Sequence, residues 1–225
     1  MIYVTGDLHG DITRFKSKAV RRLKKNDYLL ICGDFGFIWD GSKRERRLLK
    51  WIGKRRFYTL FVEGTHDNLE LINSYPTAQW NGGVVNEISG KLKHLRRGGV
   101  FMLDNRKIFA FGGGESSDAA DRISDGRWWR QELPTPVEIE EARENLKEHK
   151  NKVDYIITHQ SSRRIKRFLT MIDNDANVLD AFFDEVRENC TYERWFFGGY
   201  HINKVIPPSE MALFSAVEPT MPSRI

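Results

Sequence analysis

The chain has 225 residues, 40% hydrophobic and 12% aromatic, enough for a sizeable core in one compact domain expected to span residues 1–225. Its 36 Lys and Arg against 31 Asp and Glu give a formal charge of +5, which suits anionic substrates but is too small for a nucleic-acid coat. No apolar run approaches the ~18 residues of a membrane span, Met1 leads straight into IYVT without a leader pattern, and Cys32 and Cys190 lack metal-type spacing, so a cytoplasmic protein with no membrane contact is expected.

Taken in order, IYVT (2–5), YLLIC (28–32), FYTLFV (57–62), KIFAFG (107–112), DYIIT (154–158) and RWFFG (194–198) read as buried strands. Helical spacing lies between several of them. Ile12, Phe15, Ala19 and Leu23 share one face, Leu48, Leu49 and Ile52 another, and 178–186 forms a third amphipathic segment. Strand and helix in alternation predict an α/β fold. NKVIPP and MALFSAV come after the sixth strand without room for a helix, so antiparallel strands are expected to finish a mixed sheet. Residues 112–136 form the one long irregular stretch.

The residues just past each strand are more informative than the strands themselves. IYVT runs into GDLHG with Asp7 and His9; YLLIC into GDFG with Asp34; FYTLFV into EGTHDN with His66 and Asp67; DYIIT into His159; and RWFFG into GYH with His201. Ligands bind open α/β sheets at the C-terminal ends of their strands, so these groups are expected in one place. Mixed Asp and His donors suit a divalent transition ion such as Mn, Fe, Zn or Ni, and a bridging carboxylate suits two ions ~3.5–4 Å apart.

In this order the motifs resemble the calcineurin-like metallophosphoesterase family, over most of the chain from Asp7 to His201. WWRQELP (128–134) and NKVDYIITH (151–159) resemble a bacterial and phage subgroup of it. The resemblance implies an αββα sandwich of mixed β-sheets flanked by helices, and metal-dependent hydrolysis of a phosphodiester or small phosphomonoester. A nucleotide or nucleic acid falls within that substrate class. It implies that Asp7, His9 and His201 bind a first metal, that Asp34 bridges, and that His159 binds a second. His66 would stabilise the transition state or protonate the leaving oxygen, oriented by Asp67.

Two positions depart from the family pattern. Thr65 stands where the family has an Asn ligand, and Gly199 where it has a His ligand; both belong to the second metal. The expectation is therefore a full first site and a weak or empty second one. A binding or regulatory module without useful turnover is one alternative, and a nuclease another. After His159, Gln160 replaces a small residue and reads as a loop residue rather than a ligand. Phe35, Phe37 and Trp39, like Trp128 and Trp129, either stack a flat group or pack, and packing is expected. The basic runs read as solvated helix faces, with Arg163 and Arg164 the best candidates near the metal edge. Asp118, Asp121 and Asp125 lack calcium-loop spacing.

Overall fold

A computed structural model describes residues 1–116, 123–124, 129–172 and 176–220. Asp118, Asp121, Asp125 and Trp128 lie outside them. In chain order, the first half comprises β1 (Ile2–Thr5), α1 (Thr13–Lys16), α2 (Lys18–Arg21), β2 (Tyr28–Cys32), α3 (Lys43–Gly53), β3 (Tyr58–Val62), α4 (Leu69–Asn73), β4 (Thr77–Trp80), β5 (Gly83–Ser89) and β6 (Leu92–Leu95). The second comprises β7 (Gly99–Leu103), β8 (Arg106–Phe111), α5 (Pro136–Glu148), β9 (Tyr155–Thr158), α6 (Arg163–Thr170), α7 (Val178–Asn189), β10 (Arg194–Phe197), β11 (Lys204–Ile206), β12 (Glu210–Ala212) and β13 (Val217–Pro219). All six strands expected from the sequence are present.

Among the described residues the strands form two mixed sheets, a seven-stranded one in the order β13-β1-β2-β3-β6-β5-β4 and a six-stranded one in the order β11-β12-β10-β9-β8-β7. Period-2 alternation explains how they pack. Along β2, Leu30 and Cys32 point into the core between the sheets, where they meet Tyr155, Ile157 and Phe196. Leu29 and Ile31 point outward beneath α1 to α4, with Phe15, Val20, Leu49 and Ile72. On the far face of the second sheet, Phe109, Phe111, Ile156 and Trp195 pack under α5, α6 and α7. The layers are helix, sheet, sheet, helix.

Three differences from the sequence reading have physical causes. The stretch with Ile12, Phe15, Ala19 and Leu23 is not one helix: Ser17 is extended, its hydroxyl accepts from Val20 N (3.3 Å), and the chain restarts as α2. A serine hydroxyl competes for backbone donors and favours a cap over a helix interior. The break moves the apolar face by one residue, burying Val20 and exposing Ala19. Strands β4 to β6 carry Gln79, Asn86, Lys93 and His94 amid short apolar runs, which hides their period. At the C-terminus, β11 is antiparallel to β12, but β12 is parallel to β10, while β13 crosses to the other sheet and pairs antiparallel with β1.

The registers bring the functional ends together. Thr5 pairs with Ile31, Cys32 with Val62, and Thr158 with both Phe197 and Phe111. The parallel strands of each sheet thus stop level, and the loops after them share one edge of the sandwich.

Candidate metal centre

The loop after β1 is held to the loop after β2 by backbone bonds, because Leu8 N and His9 N both donate to Asp34 O (3.0 and 2.8 Å). Asp7 is buried, and both its carboxylate oxygens accept from Gly199 N, at 3.1 and 3.0 Å, which ties the first sheet's loop to the loop after β10. His201 Nε2 stands 3.3 Å from Asp7 Oδ2 and 2.9 Å from His9 Nε2. His9 Nδ1 is 3.8 Å from Asp34 Oδ2. One donor atom from each of Asp7, His9, Asp34 and His201 lies within 4.8 Å of all the others.

Three members of this group hold a left-handed backbone: His9 at φ 46°, Asp34 at 42° and His201 at 51°. Each such residue costs ~1–3 kcal/mol and persists only where its surroundings impose it. The strain aims the side chains inward. Gly64 and Gly198 let the backbone approach these carboxylates, since a Cβ there would lie 2.0 Å from Asp34 Oδ1 and 2.2 Å from Asp7 Oδ1 respectively.

His159 is buried beside the group rather than within it. Its Nδ1 is 3.3 Å from Cys32 O and 3.5 Å from Asp7 Oδ1, and its Nε2 is 3.8 Å from Asp34 Oδ1. Burial disfavours the imidazolium, but Asp34 and Asp7 outweigh burial and raise its pKa to about 10. Burial likewise opposes ionisation of Asp34, yet His159 and His66 hold that carboxylate well below its usual range. For His9, burial prevails over Asp34 and Asp7 and lowers the pKa.

His66 enters from the loop after β3. Its backbone N–H donates to Asp34 Oδ1 (2.8 Å), and its Nδ1 lies 3.0 Å from Asp34 Oδ2 and 3.1 Å from Thr65 Oγ1. The buried Asp67 carboxylate accepts from Phe35 N, Gly36 N and Gly64 N (3.1, 2.8 and 2.9 Å). Three amides converging on one acid leave it facing the loops. Burial and the nearby Asp34 charge raise the Asp67 pKa to about 6 despite those amides.

Beside the cluster opens a cavity of about 220 Å³, whose walls include Asp34, Thr65, His66, His159, Lys166 and Gly199. Gly199 has φ +73°, and a Cβ there would meet His159 O at 3.1 Å, so a side chain at this position is strained as well as absent. Gln160 also lines this cavity, and its side chain is tied on both ends: Oε1 accepts from Glu115 N (3.1 Å) and Nε2 donates to Asp180. Phe35 stacks on Phe61 with centroids 4.2 Å apart, Phe37 packs on Phe35, and Trp39 meets Trp129 edge-on at 5.1 Å. Arg163 and Arg164 line a separate cavity with Arg167 and Asp184. Lys166 is the basic residue of that run which reaches the cluster's cavity. Helical spacing alone does not separate it from Arg163, since residues three apart share a helix face.

Residues 1–203, a span that holds every one of these strand-end carboxylates and imidazoles, match the family described as calcineurin-like phosphoesterase. The chain belongs to the calcineurin-like phosphoesterases. No curated protein matches it. Phosphoesterases of this family use divalent metals, and the four-residue group suits one by its donors: nitrogen and oxygen ligands at ~2.0–2.2 Å from a first-row ion stand roughly 3–4 Å apart. No helix among the described residues is long and apolar enough to cross a membrane.

Proposed function

We propose that this calcineurin-like phosphoesterase hydrolyses a phosphodiester or small phosphomonoester at a single divalent transition ion held by Asp7, His9, Asp34 and His201. Manganese suits the mixed oxygen and nitrogen donors. The observation that carries the reading is the convergence of these four side chains, three of them on left-handed backbone, at the common edge of both sheets. When bound, the ion supplies Lewis acidity toward a phosphoryl oxygen and toward the attacking water. Asp34, gripped by the His66 amide, fixes the position of the His66 ring, which lines the cavity and donates the proton to the leaving oxygen. Asp67 acts beneath it, holding the loops after β2 and β3 together through three amides. His159 and Asp34 are what remains of a second site, with Thr65 and Gly199 beside them, so a second ion is held weakly or not at all.

The pairing of β13 with β1 supports one domain over residues 1–225. The unpaired Cys32 and Cys190 fit a reducing cytoplasm. The donor-poor second site favours one other reading, a metal-binding module without turnover. The test is hydrolysis of p-nitrophenyl phosphate and its bis ester by Mn²⁺-loaded protein. His66→Ala is expected to cut kcat by ~10²–10⁴-fold with metal content unchanged. Stoichiometric metal without turnover on either ester would favour the module, and metal loss in His66→Ala would reject the proton-donor role.

A further inference from the structure

We propose that Lys166 is a substrate-binding residue, its ammonium taking a non-bridging phosphoryl oxygen at the wall of the cavity where Thr65 and Gly199 stand. This rests on the phosphoesterase reading of the same cavity.

Lys166 projects from α6 into the cavity that Asp34, His66, His159 and His201 also line, and among the described residues lining it Lys166 is the one lysine or arginine. At about 220 Å³ the space is below the ~300 Å³ at which pockets for drug-sized ligands begin, so it admits a phosphate-sized group with the rest of the ester outside. A group bound over the Asp7–His201 cluster therefore comes within reach of the four-carbon lysine stem.

The ammonium is held in place without being saturated. Lys166 Nζ lies 3.4 Å from Asp180 Oδ2 and 4.0 Å from Glu115 Oε2, whereas well-made ammonium–carboxylate bonds measure ~2.7–2.9 Å. Among the described residues, three N–H donors face two distant carboxylate acceptors, which leaves capacity for a ligand. Asp180 is itself fixed: it is buried, accepts from Gln160 Nε2, and its own N–H donates to Asn177 Oδ1 (2.8 Å). Asp180 thus acts as an anchor that keeps the ammonium at the wall, and Gln160 joins that anchor to the end of β9.

Charge gives the reason for a cation there. Asp7 and Asp34 are engaged by the ion and by the buried His159 imidazolium between them, and Glu115 adds an acid to the cavity wall, so an incoming phosphoryl group gains from a further cation there. On that side Thr65 offers a second ion only a weak neutral hydroxyl and Gly199 no side-chain donor. The lysine ammonium, a compact point charge with rotatable donors, meets the need without a metal. A dianionic monoester gains more from it than a monoanionic diester does, which makes Lys166 a determinant of preference between the two ester classes.

The experiment compares Mn²⁺-loaded wild type, Lys166→Met and Lys166→Arg. Metal content, kcat and KM are measured on p-nitrophenyl phosphate and its bis ester, and inorganic phosphate binding by titration calorimetry. Lys166→Met is expected to retain the metal, weaken phosphate binding and lower monoester kcat/KM by about 10–100-fold, with a smaller loss on the diester. Lys166→Arg should recover much of both, which a merely structural role beside Asp180 would not require. Unchanged phosphate affinity in Lys166→Met, equal losses on both esters, metal loss, or no phosphate binding by wild type would each overturn the proposal. Should wild type bind phosphate without hydrolysing either ester, the hydrolase reading fails alone, and the calorimetric difference still decides the role of Lys166.

Discussion

Glu63 closes β3 just before the EGTHDN turn, and its buried carboxylate sits 2.6 Å from His94 Nε2 and 2.5 Å from Arg97 Nε, while its carbonyl accepts from Gly113 N. Burial alone would raise its pKa; Arg97 and His94 overcome that and lower it from 4.5 to about 2. A depressed carboxylate contributes stability that is full above its unfolded pKa of 4.5 and is lost as pH falls through about 2. Glu63→Gln is expected to cost ~1.5–3 kcal/mol at pH 7, because it removes the charged partner from Arg97 Nε and His94 while Arg97 keeps Glu138 and the carbonyls of Gln131 and Glu132. Urea midpoints at pH 7, 4 and 3 check this: the gap between wild type and variant should narrow toward acid, and a gap constant with pH would refute the linkage. His66 and Asp67 mark the limit of what neighbours in sequence can dictate. They are adjacent in the chain, yet one ring turns to Asp34 and the other side chain to three amides, a choice set by loops distant in sequence.

Among the elements, α5 illustrates a start written plainly in the chain. Thr135 Oγ1 accepts from Glu138 N (3.2 Å), the Glu138 carboxylate accepts from Thr135 N (2.8 Å), and Pro136 fills the first turn. Thr135→Ala is expected to cost ~0.5–2 kcal/mol, lowering Tm by a few degrees with no change in metal content. Calorimetry with elemental analysis tests it; unchanged Tm would show that packing of Ile139, Ala142 and Leu146 on the second sheet holds the helix unaided. The same capping logic explains why 13–21 breaks. Ser17 caps from within an apolar helical pattern, and the pattern alone does not show that the cap prevails. Strands β2 and β3 were legible because they are parallel and buried on both faces, which demands continuous apolar runs. Strands β4 and β6 were not, because Gln79, Lys93 and His94 interrupt them, and Lys93 and His94 are satisfied by Glu87 and Glu63.

For the whole molecule, the cluster draws Asp7, His9 and Asp34 from the seven-stranded sheet and His201 from the loop after β10 in the other. An ion held there links the two sheets. Protein dialysed gently is expected to retain about one equivalent of metal per chain. Chelation should lower Tm, and free Mn²⁺ at 100 times its Kd should restore about 2.7 kcal/mol. Two equivalents retained would contradict a weak second site, and a Tm indifferent to chelation would contradict an ion that links the sheets. The strand runs, the carboxylates and imidazoles after them, and the family likeness were all determined by the sequence itself, because a buried parallel strand and a strand-end turn each have a local chemical signature. The tertiary structure alone decided that β12 runs parallel to β10 and that β13 crosses to the other sheet. It also decided that Asp67 serves the backbone, that a side chain at position 199 would be strained by a left-handed backbone, and that Lys166 rather than Arg163 or Arg164 reaches the cavity. Those outcomes depend on which groups meet through space once two sheets are packed, and no local period in the chain encodes that.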